Sequence, residues 1–266
     1  MKEILGDYNP DYTPDDLLSL YMVTGGVAKY VELLVDQNAV TKKSIVNATV
    51  SMGSYFIDEG REMLSDEFGK DYGNYFSILS AIAAGHTSRG DIKSYVGFET
   101  GGFMERLEAD YNIIAKRKPY LAGDNTRNVR YCISDNFLTF WFRFIFKYRS
   151  AVEIGNMEFV REKIFADYDT FSGQRLEVYF RQKFMETGKY NMVANYWEPE
   201  RNGKPGENNE IDLIAVDEND KEVLIAECKR NPEKISISAL IAKSKAIVSH
   251  HKKWKIEYVG LSLKDM

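Results

Sequence analysis

Two carboxylates and a lysine, carried on two adjacent apolar runs, are the residues of this chain best placed to do chemistry. Glu210-Ile211-Asp212-Leu213-Ile214-Ala215-Val216 and Val223-Leu224-Ile225-Ala226-Glu227-Cys228-Lys229 are runs of strand length around a polar turn. A hairpin turning at Asn219-Asp220 pairs Val216 with Val223 and Asp212 with Glu227, and sets Glu210 opposite Lys229. Residues two apart on a strand share a face, so Asp212, Glu227 and Lys229 converge, with the two acids' Cβ atoms roughly 5 Å apart. Like charges so placed repel. A divalent cation, Mg²⁺ or Mn²⁺, removes the conflict, because hard cations take oxygen ligands. Such an ion polarises a phosphodiester, lowers the pKa of a bound water and stabilises a charged transition state. Lys229 is then placed to orient the water or to meet developing negative charge. The competing reading is an ion-pair cluster that satisfies itself at a strand end. Cys228, between Glu227 and Lys229, faces the other way, into the core.

Little else in the chain offers catalysis. Its 266 residues include two cysteines, Cys132 and Cys228, and three histidines, too few for a disulfide framework, a four-ligand zinc site or histidine-based chemistry. His250-His251 has no third ligand nearby and reads as a solvated helix end. Hydrophobic residues make up 44% and charged residues 28%, which excludes wholesale disorder. No apolar run approaches the roughly 20 residues of a membrane helix, and Met1-Lys2-Glu3-Ile4-Leu5-Gly6-Asp7 lacks a secretory apolar stretch, so a cytoplasmic protein is expected.

A net charge of −5 makes no global case for nucleic acid, but the charge is unevenly spread. From Lys221 to Lys255 nine Lys/Arg, among them Lys243 and Lys245, face three acids. A second basic island, Lys116-Arg117-Lys118 with Arg127 and Arg130, is opposed by Asp124. Both are candidate phosphate contacts, although the plainer reading of either one alone is an ordinary solvated face.

The elements that must position these residues fall into three segments, 1–70, 71–150 and 151–266. The first is helical: Thr13-Pro14-Asp15-Asp16 starts a helix, Gly25-Gly26 breaks it, Val27 to Val35 resumes, and amphipathic stretches follow at 41–51 and 54–68. The second has helices at Tyr75–Ala84, Ser88–Tyr95 and Thr100–Tyr111, then strand-like pieces at Ile113–Tyr120 and Val129–Ile133 around Gly123-Asp124-Asn125. That is the order of a winged helix, with the basic island on the wing. The third helix, with Glu99, Glu105, Glu108 and Asp110 against Arg106, brings negative charge towards any phosphate groove, so docking of protein is as well supported as reading of DNA. Asn136 to Tyr148 is an aromatic helix sealing this module. The third segment reads as helices at 156–168 and 173–187, strands at 191–197, 211–216 and 223–228, a polar loop from Glu198 to Asn209, a helix at 235–249 and a strand at 254–261. Trp197 and Tyr196 at the loop entrance either stack on a base or pack the strand end. The expected fold class is α+β, in several modules.

A strand Asp, a second strand bearing Glu-x-Lys and a preceding helix with an acid resemble the PD-(D/E)XK, or restriction-endonuclease-like, fold. The pieces here are Ile211-Asp212-Leu213, Glu227-Cys228-Lys229 and the helix Gly173 to Phe180 with Glu177. Ile211 stands where that motif has proline. The resemblance implies that Asp212 and Glu227 bind magnesium, that Lys229 assists the nucleophilic water, and that Glu177 completes the metal environment. More widely, Thr24-Gly25-Gly26-Val27-Ala28-Lys29-Tyr30 is similar to the lid-helix region of AAA/STAND-type ATPases of the archaeal ATPase family. Phe140-Trp141-Phe142-Arg143-Phe144 and the block from Glu210 to Lys229 resemble the domain that follows in those proteins. The order lid, winged helix, nuclease-like domain is that of their C-terminal half. No Gly-x-x-x-x-Gly-Lys-Ser/Thr occurs in the chain, so no nucleotide site is expected in it. The expected partners are DNA and an ATPase core acting in trans or in a longer parent protein. Two functions follow, a Mg²⁺-dependent nuclease or a non-catalytic module that docks DNA or an ATPase.

Overall fold

A computed structural model describes residues 1–198 and 209–266. It is a mixed α+β structure. The helices are α1 (Lys2–Tyr8), α2 (Pro14–Thr24), α3 (Ala28–Val35), α4 (Lys42–Thr49), α5 (Tyr55–Phe68), α6 (Tyr72–Ala83), α7 (Arg89–Val96), α8 (Gly101–Ala109), α9 (Asn136–Phe140), α10 (Arg149–Glu153), α11 (Met157–Glu186), α12 (Ile237–Lys243) and α13 (Lys245–His250). The strands are β1 (Ile114–Arg117), β2 (Arg130–Ile133), β3 (Met192–Trp197), β4 (Glu210–Asp217), β5 (Glu222–Cys228) and β6 (Lys255–Leu261). The expected polar loop with Pro199, Gly203, Pro205 and Gly206 lies outside the described residues. Two compact units result, one of residues 1–117 and 130–169, the other of 118–129 and 170–266.

In the first unit the local signals of the sequence are satisfied. Thr13 and Asp16 form a capping box at α2, with Pro14 at the first helical position, and Gly25 ends the helix at φ +60. A Cβ on Gly25 would sit 3.2 Å from Asn136 Cβ, so both backbone and space call for glycine there. The aromatic helix α9 starts where Asp135 Oδ1 accepts the Leu138 N–H at 2.7 Å, and it widens into a π-turn over Trp141–Phe146. Phe137 meets the rings of Tyr30 and Phe56, at 5.0 and 6.0 Å between centroids. A few residues on, Trp141, Phe142 and Phe146 surround Phe76 of α6 at 5.9, 5.3 and 5.2 Å. One aromatic helix is thus core to both of the first two segments, which is why residues 1–70 and most of 71–150 share a unit. Helices α6, α7 and α8 and the β1–β2 hairpin follow in the expected order, with Ile114 opposite Ile133. Each strand is only four residues long. Pro119, lacking an N–H, cannot extend the first.

In the second unit β3, β4 and β5 run antiparallel, and β6 joins parallel to β5 after a crossover through α12 and α13. Ile211, Ile214, Val216, Val223 and Ile225 pack with Leu240 and Ile247 of those helices. The expected break between helices at 156–168 and 173–187 is absent. The 30-residue α11 runs through Gly173, whose cost of about 1 kcal/mol in a helix interior is outweighed by burial of Phe171, Leu176 and Phe180. Conversely, the single helix expected at 235–249 divides at Ser244. Its N–H is shared between the carbonyls of Leu240 and Ile241, and its Oγ pairs with Tyr258 Oη at 2.8 Å.

The loop of residues 118–129 packs within this unit. Tyr120 N–H donates to Asn195 O at 2.9 Å, Tyr120 Oη bonds His251 Nε2 at 2.5 Å, and Trp197 Nε1 donates to Asn128 Oδ1 at 2.9 Å. His251 is therefore buried, not a solvated helix end, and burial, then the neighbouring His250, holds its pKa below the usual value. Trp197 is buried strand-end packing with no face left for a base.

Candidate active site

The turn between β4 and β5 spans four residues, Glu218 to Lys221, held by Asp217 Oδ1, which accepts the N–H groups of Asn219 and Asp220 at 3.0 and 3.1 Å. The register pairs Val216 with Val223 and Leu213 with Ala226, as the hairpin predicts. The regular ladder stops there, so the expected pairs Asp212–Glu227 and Glu210–Lys229 are not part of it. Against β3 the pairing jumps from Ala194–Ile214 to Tyr196–Ile211, so that Asp212 and Leu213 together oppose Asn195. This is a β-bulge, and it explains how Ile211 packs with Ile214 and Val216 although alternation puts it on the other face.

Released from the alternation, Asp212 uses its side chain where the backbone ladder would have continued. Asp212 Oδ2 accepts the Cys228 N–H at 2.8 Å and stands 3.3 Å from Lys229 Nζ. Lys229 Nζ also lies 3.7 Å from Glu227 Oε1. The lysine thus bridges the two acids that the strand spacing brings together. Burial works against its charge, but Asp212 and Glu227 outweigh it and hold the ammonium above its ordinary pKa. Glu227, buried on β5, is further held by α12: its Oε2 accepts the Ser236 N–H at 3.1 Å, and Lys243 Nζ lies 3.8 Å from its Oε1. Cys228 is buried, and burial, reinforced by Asp212 and Glu177, pushes its thiol up and keeps it inert.

Glu177 reaches the same group from α11. Loss of water, then the Asp212 carboxylate, pushes its pKa up to about 7 against the pull of Arg181, Lys229 and Arg175. Arg181, buried one turn further on, stands 3.8 Å from Glu177 Oε2 and donates to Asp212 O at 3.1 Å. Sequence reasoning passed over this arginine, although its four-residue spacing from Glu177 was the available signal. It also passed over the Ser236 N–H, for which composition offers none.

Among the described residues no three His, Cys, Asp or Glu side chains stand ready as a metal-ligand cluster. The donor set is instead a pair of hard carboxylates, Asp212 and Glu227, with Glu177 beside them. Asp212 Oδ1 and Glu177 Oε1 accept no hydrogen bond among the described residues. One or two carboxylates with the remaining positions left to water is how Mg²⁺ is usually held, so these residues fit that ion.

The basic residues are spread more widely. In the first unit Lys116 is exposed, and Arg117 lies opposite Arg130 across the hairpin, both half-buried. In the second, Lys118 donates to Asp124 O at 2.9 Å, Arg127 is exposed, and so is Lys245. Lys243, expected on a phosphate path, turns towards Glu227.

Comparison with known proteins gives two likenesses. The chain is 30% identical over 234 residues to an uncharacterized protein of Methanocaldococcus jannaschii, an alignment covering 85% of this chain and 50% of that protein. The chain therefore spans about half the length of the curated relative it matches. No helix among the described residues is long and apolar enough to cross a membrane. No solved structure matches the chain. Residues 141–240, from the aromatic helix through both site strands, match the family model DUF234, archaeal and bacterial proteins of unknown function.

Proposed function

We propose that the second unit is a PD-(D/E)XK, restriction-endonuclease-like domain that hydrolyses phosphodiester bonds in DNA with Mg²⁺ or Mn²⁺. In this reading the three helices and hairpin of the first unit are a winged helix, and the chain corresponds to the C-terminal part of an AAA/STAND-type ATPase. The observation that carries it is Lys229 Nζ between Asp212 and Glu227, 3.3 and 3.7 Å away, at one end of an antiparallel β3–β4–β5 meander with a parallel β6. Asp212 and Glu227 would hold the ion, with Glu177 completing the acid environment from α11. The bound ion supplies Lewis-acid charge to the phosphoryl oxygens. Lys229 would orient the attacking water and face the negative charge that develops on the phosphoryl oxygens. The hydroxyl of one water ends on phosphorus, the bond to the leaving sugar oxygen breaks, and the water's proton ends on that oxygen. ATP hydrolysis is no part of the proposal, and an ATPase core would act from another chain or from a longer parent protein.

A second reading has its own support. Lys229 and Lys243 together balance Glu227, so the acids are compensated without an ion. That favours a non-catalytic module that docks DNA or an ATPase. Calorimetric titration with Mg²⁺ and Mn²⁺, on the wild type and on Asp212→Asn, with plasmid cleavage in parallel, separates the two. Metal binding and cleavage lost together in the variant support the nuclease; neither binding nor cleavage in the wild type leaves the docking module.

A further inference from the structure

The chain between Lys234 and Ile256 contains six lysines and no acid, within a protein of net charge −5. It contains α12 and α13, whose inner sides bury Leu240 and Ile247 in the core; Lys243 and Lys245 lie on these helices, Lys234 precedes them, and Lys255, on β6, is paired with Glu222. The outer side is neither purely polar nor purely charged. Ile237 and Ile241, one turn apart on α12, are 39% and 48% exposed, and Val248 on α13 is 37% exposed. Exposed Lys234 and Lys245 and half-exposed Lys243 are interleaved with them. This surface is continuous with the acid–lysine group, since Glu227 takes a hydrogen bond from the Ser236 N–H at the start of α12 and faces Lys243 at its end.

The geometry points to this face as the track of a single nucleic-acid strand with unpaired bases, leading into the Asp212–Glu227–Lys229 site. The inference rests on the phosphodiesterase reading of that site and adds the substrate class to it. A lysine-rich surface attracts phosphates whatever their strandedness. The exposed isoleucines discriminate. A duplex offers its outer surface as sugar and phosphate, with the base faces stacked away, so Ile237 and Ile241 would stay half-wet against it. An unpaired strand presents bare base faces that apolar side chains cover while the lysines follow the backbone. An anionic membrane would also accept lysines among apolar residues, but would leave the continuity with Glu227 without purpose.

The test uses the full chain carrying Asp212→Asn, in EDTA, so that neither ion nor cleavage enters. Binding of a fluorescein-labelled mixed-sequence DNA strand, its duplex and phosphatidylglycerol vesicles is measured by anisotropy and co-sedimentation. The strand is expected to bind at least about fivefold tighter than the duplex. Adding Lys234→Gln with Lys245→Gln should weaken both DNA forms by about tenfold at low salt, while adding Ile237→Ser with Ile241→Ser should weaken the strand by about fivefold and leave the duplex unchanged. All four side chains are surface-placed, and thermal melts check that each variant is folded. Equal or tighter duplex binding, vesicle binding in place of strand binding, or folded variants that bind like their parent would overturn the inference. A wild type that binds the strand by this face yet never cuts it with Mn²⁺ would fail the nuclease reading while upholding the track.

Discussion

The helix at residues 136–146 and the strand ends at 212 and 227–229 solve opposite problems. The first unit buries aromatic rings: Phe137, Phe140, Trp141, Phe142 and Phe144 are almost wholly inaccessible and meet further rings edge-on or tilted. The second unit brings carboxylates to the margin of its core and compensates them with lysine, arginine and backbone N–H groups. Rings need only shape, and any well-packed set serves. Charges need named partners, because a carboxylate without compensation costs several kcal/mol at depth. The aromatic region should therefore respond to changes of volume, and the acid–lysine region to changes of charge and pH.

Four substitutions test that contrast. Trp141→Ala, which opens a void among Phe76, Phe142 and Phe146 and removes the bond to Ile57 O, should cost about 3–5 kcal/mol of stability in urea unfolding. Gly60→Ala tests the same region by overfilling it. The new Cβ would fall 2.3 Å from Trp141 Cδ2, and a loss of about 1–3 kcal/mol is expected in the same titration. In the acid–lysine region, Lys229→Gln should cost only about 1 kcal/mol, because the lysine is partly solvated and Lys243 still faces Glu227. A loss as large as that of Trp141→Ala would show the lysine to be a structural keystone. The fourth test reads a slope with pH. The folded Glu177 keeps its proton up to about pH 7, whereas the unfolded side chain releases it near 4.5. Between those values the folded state binds more protons, so wild-type stability falls as pH rises and levels off above 7. Glu177→Gln in metal-free buffer should remove that fall, so its melting temperature gains on wild type from pH 4.5 to 7 and by no more beyond. A flat difference would place Glu177 in water.

Much of this was legible in the sequence, because the signals are local. The capping box at Thr13, the glycine at 25 and the turn at Asn219-Asp220 each depend on a few neighbouring residues, and together they fixed most elements and the β4–β5 register. The approach of Asp212, Glu227 and Lys229 was expected from a ladder continued to the strand ends, whereas the ladder ends at Leu213–Ala226 and Asp212 meets Lys229 and the Cys228 N–H through its side chain. What stayed hidden depends on partners distant in the chain. Gly173 reads as a break until the burial of Phe171, Leu176 and Phe180 is known. His251 reads as solvated until Tyr120 is found against it. Lys243 reads as a free cation until α12 is folded back on Glu227. The bulge is the clearest case, since nothing in Ile211-Asp212-Leu213 distinguishes it from a plain strand, and only the pairing with Asn195 reveals the extra residue.

That extra residue also separates two histories within one strand. Beyond the bulge, from Ile214 to Val216, each side chain answers to the core, and substitutions there are judged by volume. At Asp212 a substitution is judged by polar partners, because its carboxylate holds the Cys228 N–H and faces Lys229. Among relatives, Asp212 should therefore vary together with Lys229 and independently of the isoleucines beside it.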